Sequence, residues 1–114
     1  MFPEAVKSYT EAIKRNPSDP VNYSNRAASY TKLMAYKEAI RDCDEATKLD
    51  PKFIKAYIRK GHVHSLMKEY AKCLEVYEAG LKVDPENAEL KAGIERTLMV
   101  WYMCLIEYSD INIF

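Results

Sequence analysis

A chain of 114 residues with 48% apolar side chains can bury one core of ordinary size without a disulfide or a metal as staple, so a single domain needing no cofactor is expected. Its 17 basic and 17 acidic side chains cancel, which leaves no long-range field to steer the molecule toward nucleic acid or an anionic membrane; electrostatic recognition has to be local. The longest apolar run, Leu98 to Ile106, is short of the roughly eighteen residues a membrane span needs, no signal peptide is evident, and three cysteines without CxxC or His-Cys spacing read as reduced, buried thiols of a cytoplasmic protein.

The predicted elements are six helices, at about 3–16, 20–33, 36–49, 53–67, 70–83 and 87–108, and no strand. Pro17, Pro51 and Pro85 are equally spaced, and each should stop a helix near Asn16, Asp50 or Asp84, because proline lacks an N–H and pushes the preceding residue out of the α region. Asn16-Pro17-Ser18-Asp19-Pro20 is the densest turn signal, with Ser18 or Asp19 able to cap the second helix and Pro20 suited to its first turn. Short connections at Met34-Ala35 and Lys68-Glu69 join antiparallel neighbours.

Cutting the chain at the proline period aligns further columns. Phe2, Tyr36 and Tyr70 are followed three places later by Ala5, Ala39 and Cys73; then come Tyr9, Cys43 and Tyr77, and then Ala12, Ala46 and Gly80. Small residues at fixed turns let helix backbones approach, while the aromatic fills the wedge between units. Period and columns together resemble the tetratricopeptide repeat, a pair of antiparallel helices per unit, and imply an all-α solenoid. On that register residues 1–19 are a partial first repeat whose first helix has no counterpart in the sequence, 20–53 and 54–87 are full repeats, and 88–114 form a C-terminal capping helix and tail. Val6, Tyr9 and Ile13 then leave a flank open, and Leu98–Ile106 is apolar all round where a cap should be polar outside. A homodimer joining the open flank to this helix is one expectation; an ordinary terminal helix with a tail from Ser109 to Phe114 is the other.

Recognition in such a stack is expected on the concave side, lined by the first helix of each repeat. The inward positions are Val21, Ser24, Asn25, Ala28, Thr31 and Lys32 in repeat two, and Lys55, Ile58, Arg59, His62, Ser65 and Leu66 in repeat three. Lys55 and Arg59, four apart, share a helix face, and Asn25 holds the same repeat position as Arg59. An ammonium, a guanidinium and an amide, with no acid expected among them, suit paired carboxylates, each charge-assisted bond contributing about 1.5–3 kcal/mol. A peptide C-terminus ending in Asp presents such a pair, and Ala28 would let its backbone approach.

The segments Tyr23-Ser24-Asn25-Arg26-Ala27-Ala28-Ser29-Tyr30-Thr31-Lys32-Leu33, Ala39-Ile40-Arg41-Asp42-Cys43 and Phe53-Ile54-Lys55-Ala56-Tyr57-Ile58-Arg59-Lys60 resemble the carboxylate-clamp domains of co-chaperones. With Tyr9 to Pro17 they are most similar to the heat-shock-organising co-chaperone family (Hop/Sti), and within it to the last of its tetratricopeptide domains. The resemblance implies a stress-response module gripping the Glu-Glu-Val-Asp tails of 70-kDa or 90-kDa class chaperones. It assigns the peptide-carboxylate clamp to Asn25, Lys55 and Arg59, with Ala28, Lys32 and His62 as secondary groove residues. Two of the family's five clamp positions belong to the first helix of repeat one, so weakened binding is implied for this sequence.

Duller readings stand beside these. Lys and Arg four apart are often merely solvated, and His62 can be a spectator. His64 falls at a core position and is read as packed, since His62-Val63-His64 has no third metal ligand nearby, and Arg26 and Lys60 are expected to snorkel outward. No glycine-rich phosphate loop, HExxH or GxSxG is present, so an enzyme is not expected. The alternative to a clamp is a scaffold that binds itself or a partner through exposed apolar helix faces and leaves the groove idle.

Overall fold

The computed structural model describes residues 2–113, with side chains described through Glu107. Six helices follow one another: α1 (Phe2–Arg15), α2 (Pro20–Lys32), α3 (Tyr36–Leu49), α4 (Ile54–Leu66), α5 (Tyr70–Val83) and α6 (Ala88–Ile113). Each packs on its chain neighbours, and α2 also touches α4, and α4 touches α6. Among the described residues α1, α3 and α5 make no such mutual contact, so α2, α4 and α6 form the inner layer of a curved stack.

The stops fall where the prolines require. Asn16, Asp50 and Asp84 each send their N–H back to the carbonyl of Ala12, Ala46 or Gly80 at 2.9 Å, which makes them the last hydrogen-bonded residues before Pro17, Pro51 and Pro85. Asp19 caps α2, its Oδ1 accepting from the Val21 N–H at 3.0 Å, and Asn87 Oδ1 receives the Leu90 N–H at 2.9 Å at the start of α6.

The α2–α3 and α4–α5 turns are built alike without glycine. Met34 and Lys68, at equivalent positions of successive repeats, both take φ 61°. The following N–H of Ala35 reaches the Tyr30 carbonyl at 2.9 Å, and that of Glu69 reaches His64 at 2.9 Å. Both are six-to-one closures that satisfy the end carbonyls of α2 and α4 and reverse the chain within three residues.

Core packing follows the columns. Ala39, Cys43, Ala46 and Cys73 are fully buried, and Ala27, Ala39, Cys43 and Val63 form one cluster with Tyr30, Tyr36, Ile40 and Met67 against it. A second cluster joins Cys73, Tyr77 and Leu90. The Tyr77 ring is gripped between two glycines on the inner helices. A Cβ on Gly61 would collide with it, and one on Gly93 would lie 2.9 Å from its Cε2. α6 therefore docks by the same close approach that holds the repeats together.

Arg26 does not snorkel. Its side chain is 17% exposed and its guanidinium grips Asp42, whose side chain is 4% exposed, through Nε to Oδ2 and Nη2 to Oδ1, both at 2.7 Å. Nη1 donates to Thr10 Oγ1 at 3.1 Å, and the group lies 5.7 and 5.6 Å from the centres of the Tyr23 and Tyr30 rings. One residue of α2 thus ties α1 to α3. Lys60, expected to snorkel outward, ends on Asp44 Oδ1 at 2.7 Å, in a more exposed version of the same link. His64 is packed as expected, its Nδ1 2.9 Å from Glu69 Oε1 across the α4–α5 turn.

At the two ends, α1 has no fully buried residue, and α6 leaves the body. Thr97 is buried and Trp101 stacks on Tyr70 at 6.2 Å between ring centres, but Leu98, Met99, Val100, Tyr102, Met103, Leu105 and Ile106 are exposed. No element of the described chain covers them. The helix continues to Ile113, beyond the expected end at 108.

Two substitutions test this packing. Asp42→Ala strands a buried guanidinium and is expected to lower stability by about 3–5 kcal/mol, whereas Arg26→Met with Asp42→Leu recovers most of the loss. A urea midpoint for Asp42→Ala close to wild type contradicts the anchoring role. Gly61→Ala gains about 1 kcal/mol in helix propensity but overpacks Tyr77 by about 1–3 kcal/mol, so net destabilisation is expected in the same assay.

Candidate functional site

Three inner helices build a groove of about 550 Å³, lined from α2 by Ala28, Thr31 and Lys32, from α4 by Lys55, Ile58, Arg59, His62 and Leu66, and beyond these by Tyr77, Glu89 and Arg96. Lys55 and Arg59 share this wall because they stand one helical turn apart on α4. Ala28, Lys32 and His62 line it as the sequence suggested.

Asn25 joins the site through Arg59, not as a wall of the groove. Arg59 Nη1 donates to Asn25 Oδ1 at 3.2 Å and to Ser24 Oγ at 2.6 Å, both on the preceding inner helix. The consequence is directional. Asn25 commits its oxygen to Arg59, which leaves its amide hydrogens as donors, and Arg59 commits Nη1 to two neutral oxygens, which leaves its Nε–Nη2 edge for a carboxylate. Lys55 makes no ion pair among the described residues, and neither do Lys32 and Arg96. Lys55 and Arg59 thus line one wall, and Asn25 reaches the site only through its bond to Arg59.

Two features were not foreseen. Ser24 appeared among the inward positions but without a role; it is fully buried and supplies the shortest bond to Arg59. The groove also does not end at repeat three. Glu89 and Arg96 bring it onto α6, so the expectation of a groove free of acids is corrected: one carboxylate lines it. Both were within reach of the period, since Glu89 and Arg96 stand one full repeat after Lys55 and His62. Their neighbour Tyr77 has its phenol pushed up to about 12, by burial first and then by Cys73, with Arg96 opposing and Glu89 adding a smaller upward push.

No group of three or more His, Cys, Asp or Glu side chains that could hold a metal ion occurs among the described residues. Cys43 lies fully buried, its thiol pushed up to about 12 chiefly by burial, and Cys73 Sγ sits 3.3 Å from Thr97 Oγ1. Such thiols are packing groups.

The tetratricopeptide repeat profile matches residues 22–53 and again 54–87. The chain belongs to the tetratricopeptide repeat family. It is 57% identical over 95 residues to the Hsp70-Hsp90 organizing protein of Triticum aestivum, a match covering 83% of this chain and 16% of that protein. Among solved structures it is similar to the TPR2B domain of yeast Sti1 in complex with an Hsp70 peptide, at 42% identity and a TM-score of 0.78, over 86% of this chain and 83% of that one. It is also similar to the second TPR domain of human RPAP3 in complex with the HSP70 peptide SGPTIEEVD, at 26% identity and a TM-score of 0.76, over 84% and 80%. The chain thus spans about a sixth of the curated relative's length and most of a single repeat domain.

The burial pattern makes a chemical prediction. In the native state a brief pulse of iodoacetamide should label the exposed Cys104 and spare Cys43 and Cys73, all three reacting only after denaturation. Peptide mass mapping that found Cys43 labelled as fast as Cys104 would overturn the packed assignment.

Proposed function

We propose that this chain is a non-catalytic co-chaperone module whose inner groove holds the C-terminal carboxylates of cytosolic heat-shock chaperones, of the 70-kDa or 90-kDa class, with tails of the Glu-Glu-Val-Asp type. The observation that carries the reading is the hydrogen-bonded unit of Arg59, Ser24 and Asn25 beside an unpaired Lys55. A fixed guanidinium edge can take one carboxylate in fork geometry, and a mobile ammonium one turn away can meet the second. Four cations and one acid among the lining residues supply the matching charge balance, although the chain as a whole is neutral. The peptides named with the similar solved structures support the same class of ligand: an HSP70 tail ending in Glu-Glu-Val-Asp is bound by the RPAP3 domain.

In this reading Asn25, Lys55 and Arg59 contact the carboxylates, Ser24 orients Arg59, and Ala28, Lys32 and His62 border the bound peptide. Removing either cation discards one charge-assisted interaction. Lys55→Ala or Arg59→Ala is therefore expected to weaken binding of a labelled free-acid Glu-Glu-Val-Asp peptide by about 10–100-fold, from about 1.5–3 kcal/mol per bond. The C-terminally amidated twin should bind poorly to the wild type, and added salt should weaken the free acid. Equal anisotropy curves for the acid and the amide would show that the groove does not read a chain end.

A further inference from the structure

The clamp uses one end of the groove and leaves the α6 wall without a role. That wall is built in the register of a repeat. Counting one full repeat on from α4 puts Glu89 at the position of Lys55, Gly93 at that of Arg59 and Arg96 at that of His62, and α6 touches α4 as α4 touches α2. Arg96 is exposed, lines the groove and has no ion pair among the described residues. It also lies close enough to Tyr77, on the floor of the same groove, to act on its phenol, as does Glu89. Ile58, Leu66 and Tyr77 supply apolar surface to the same groove.

Helix geometry fixes the scale. Arg96 stands three residues beyond the level of Arg59, about 4.5 Å along the axis at 1.5 Å per residue, and one inner helix over, about 8–10 Å away. The two backbones are thus on the order of 10 Å apart, which an extended peptide at about 3.3 Å per residue covers in three residues. Glu89, level with Lys55, disfavours an acidic chain end on the α6 side of the clamp, so the end belongs between α2 and α4 while the preceding residues can drift toward α6. Resting on the peptide-tail reading above, we infer that Arg96 is a specificity-determining residue: it pairs with an acidic side chain two or three residues before the terminal one, and the groove selects tails that carry a glutamate there.

Lys32 and His62 are the competing cations. Lys32 lies on α2, on the opposite side of α4, and His62 shares Arg96's row on α4, so a double-mutant cycle can separate them from Arg96. Anisotropy titrations of the whole chain with SGPTIEEVD as free acid, with each glutamate in turn replaced by glutamine, are compared between wild type, Arg96→Gln and Arg96→Lys. On wild type, one of the two glutamine peptides should bind about 3–10-fold more weakly than the parent. On Arg96→Gln, parent and glutamine peptides should bind alike, and Arg96→Lys should restore part of the difference. An undiminished glutamate preference in Arg96→Gln, shown by circular dichroism to melt like wild type, overturns the inference and leaves the clamp standing. If Arg96→Gln melts early, Arg96→Lys decides: unchanged discrimination with a charge of shorter reach, together with unchanged discrimination in Arg96→Gln below its melting point, overturns the pairing. If wild type does not prefer the free acid over its amide, the clamp reading fails, and the role of Arg96 falls with it.

Discussion

The buried pair of Arg26 and Asp42 sets the frame for everything on the inner surface. A guanidinium held by two 2.7 Å bonds to α3, and by a third contact to Thr10 of α1, fixes how far α2 can roll about its own axis. The residues immediately before it, Ser24 and Asn25, are then forced toward α4, where Arg59 meets them. An ion pair of this kind gives little net stability once its desolvation is counted, but it penalises any rotation that would separate the partners. Arg26 is thus held above its ordinary pKa by the Asp42 hydrogen bond, and it lies outside the groove lining, yet the geometry of the donors depends on it.

Close approach supplies the second constraint. Alanine, cysteine and glycine at the repeat columns bring helix backbones near enough for short side chains to bridge them. The 2.6 Å bond from Arg59 to Ser24 exists because a serine suffices to span α2 and α4 there. The same principle, carried by Gly61 and Gly93 around Tyr77, seats α6 against α4 and makes the last helix a wall of the groove. Packing and recognition use the same contacts, so a volume change at Gly61 reaches a groove-lining ring directly.

Charge is distributed unevenly over the fold. On the outer and end surfaces Lys14, Lys48, Lys60, Lys72 and Lys91 each meet an acid, most of them within a few residues in sequence. In the groove, Lys32, Lys55 and Arg96 meet none among the described residues, and Arg59 is held by neutral oxygens that position it without neutralising it. A neutral chain thereby presents a locally cationic hollow, which net charge does not reveal.

The helices, their stops and their pairing were written in the sequence, because a proline recurring once per repeat and small residues at fixed offsets act locally, through missing donors and missing bulk. That Lys55 and Arg59 share the groove wall follows from the same period, which assigns each residue a face. The period could equally have placed Glu89 and Arg96, but an apolar run following them drew α6 toward a capping role, and only the docking of Gly93 on Tyr77 makes its inner face part of the groove. Arg26 was misread because helix position alone cannot say whether a neighbouring helix will offer a buried carboxylate. Which donors are tied to internal partners and which stay free is settled by distances between residues up to 35 apart in the chain, and those exist only once the helices are stacked.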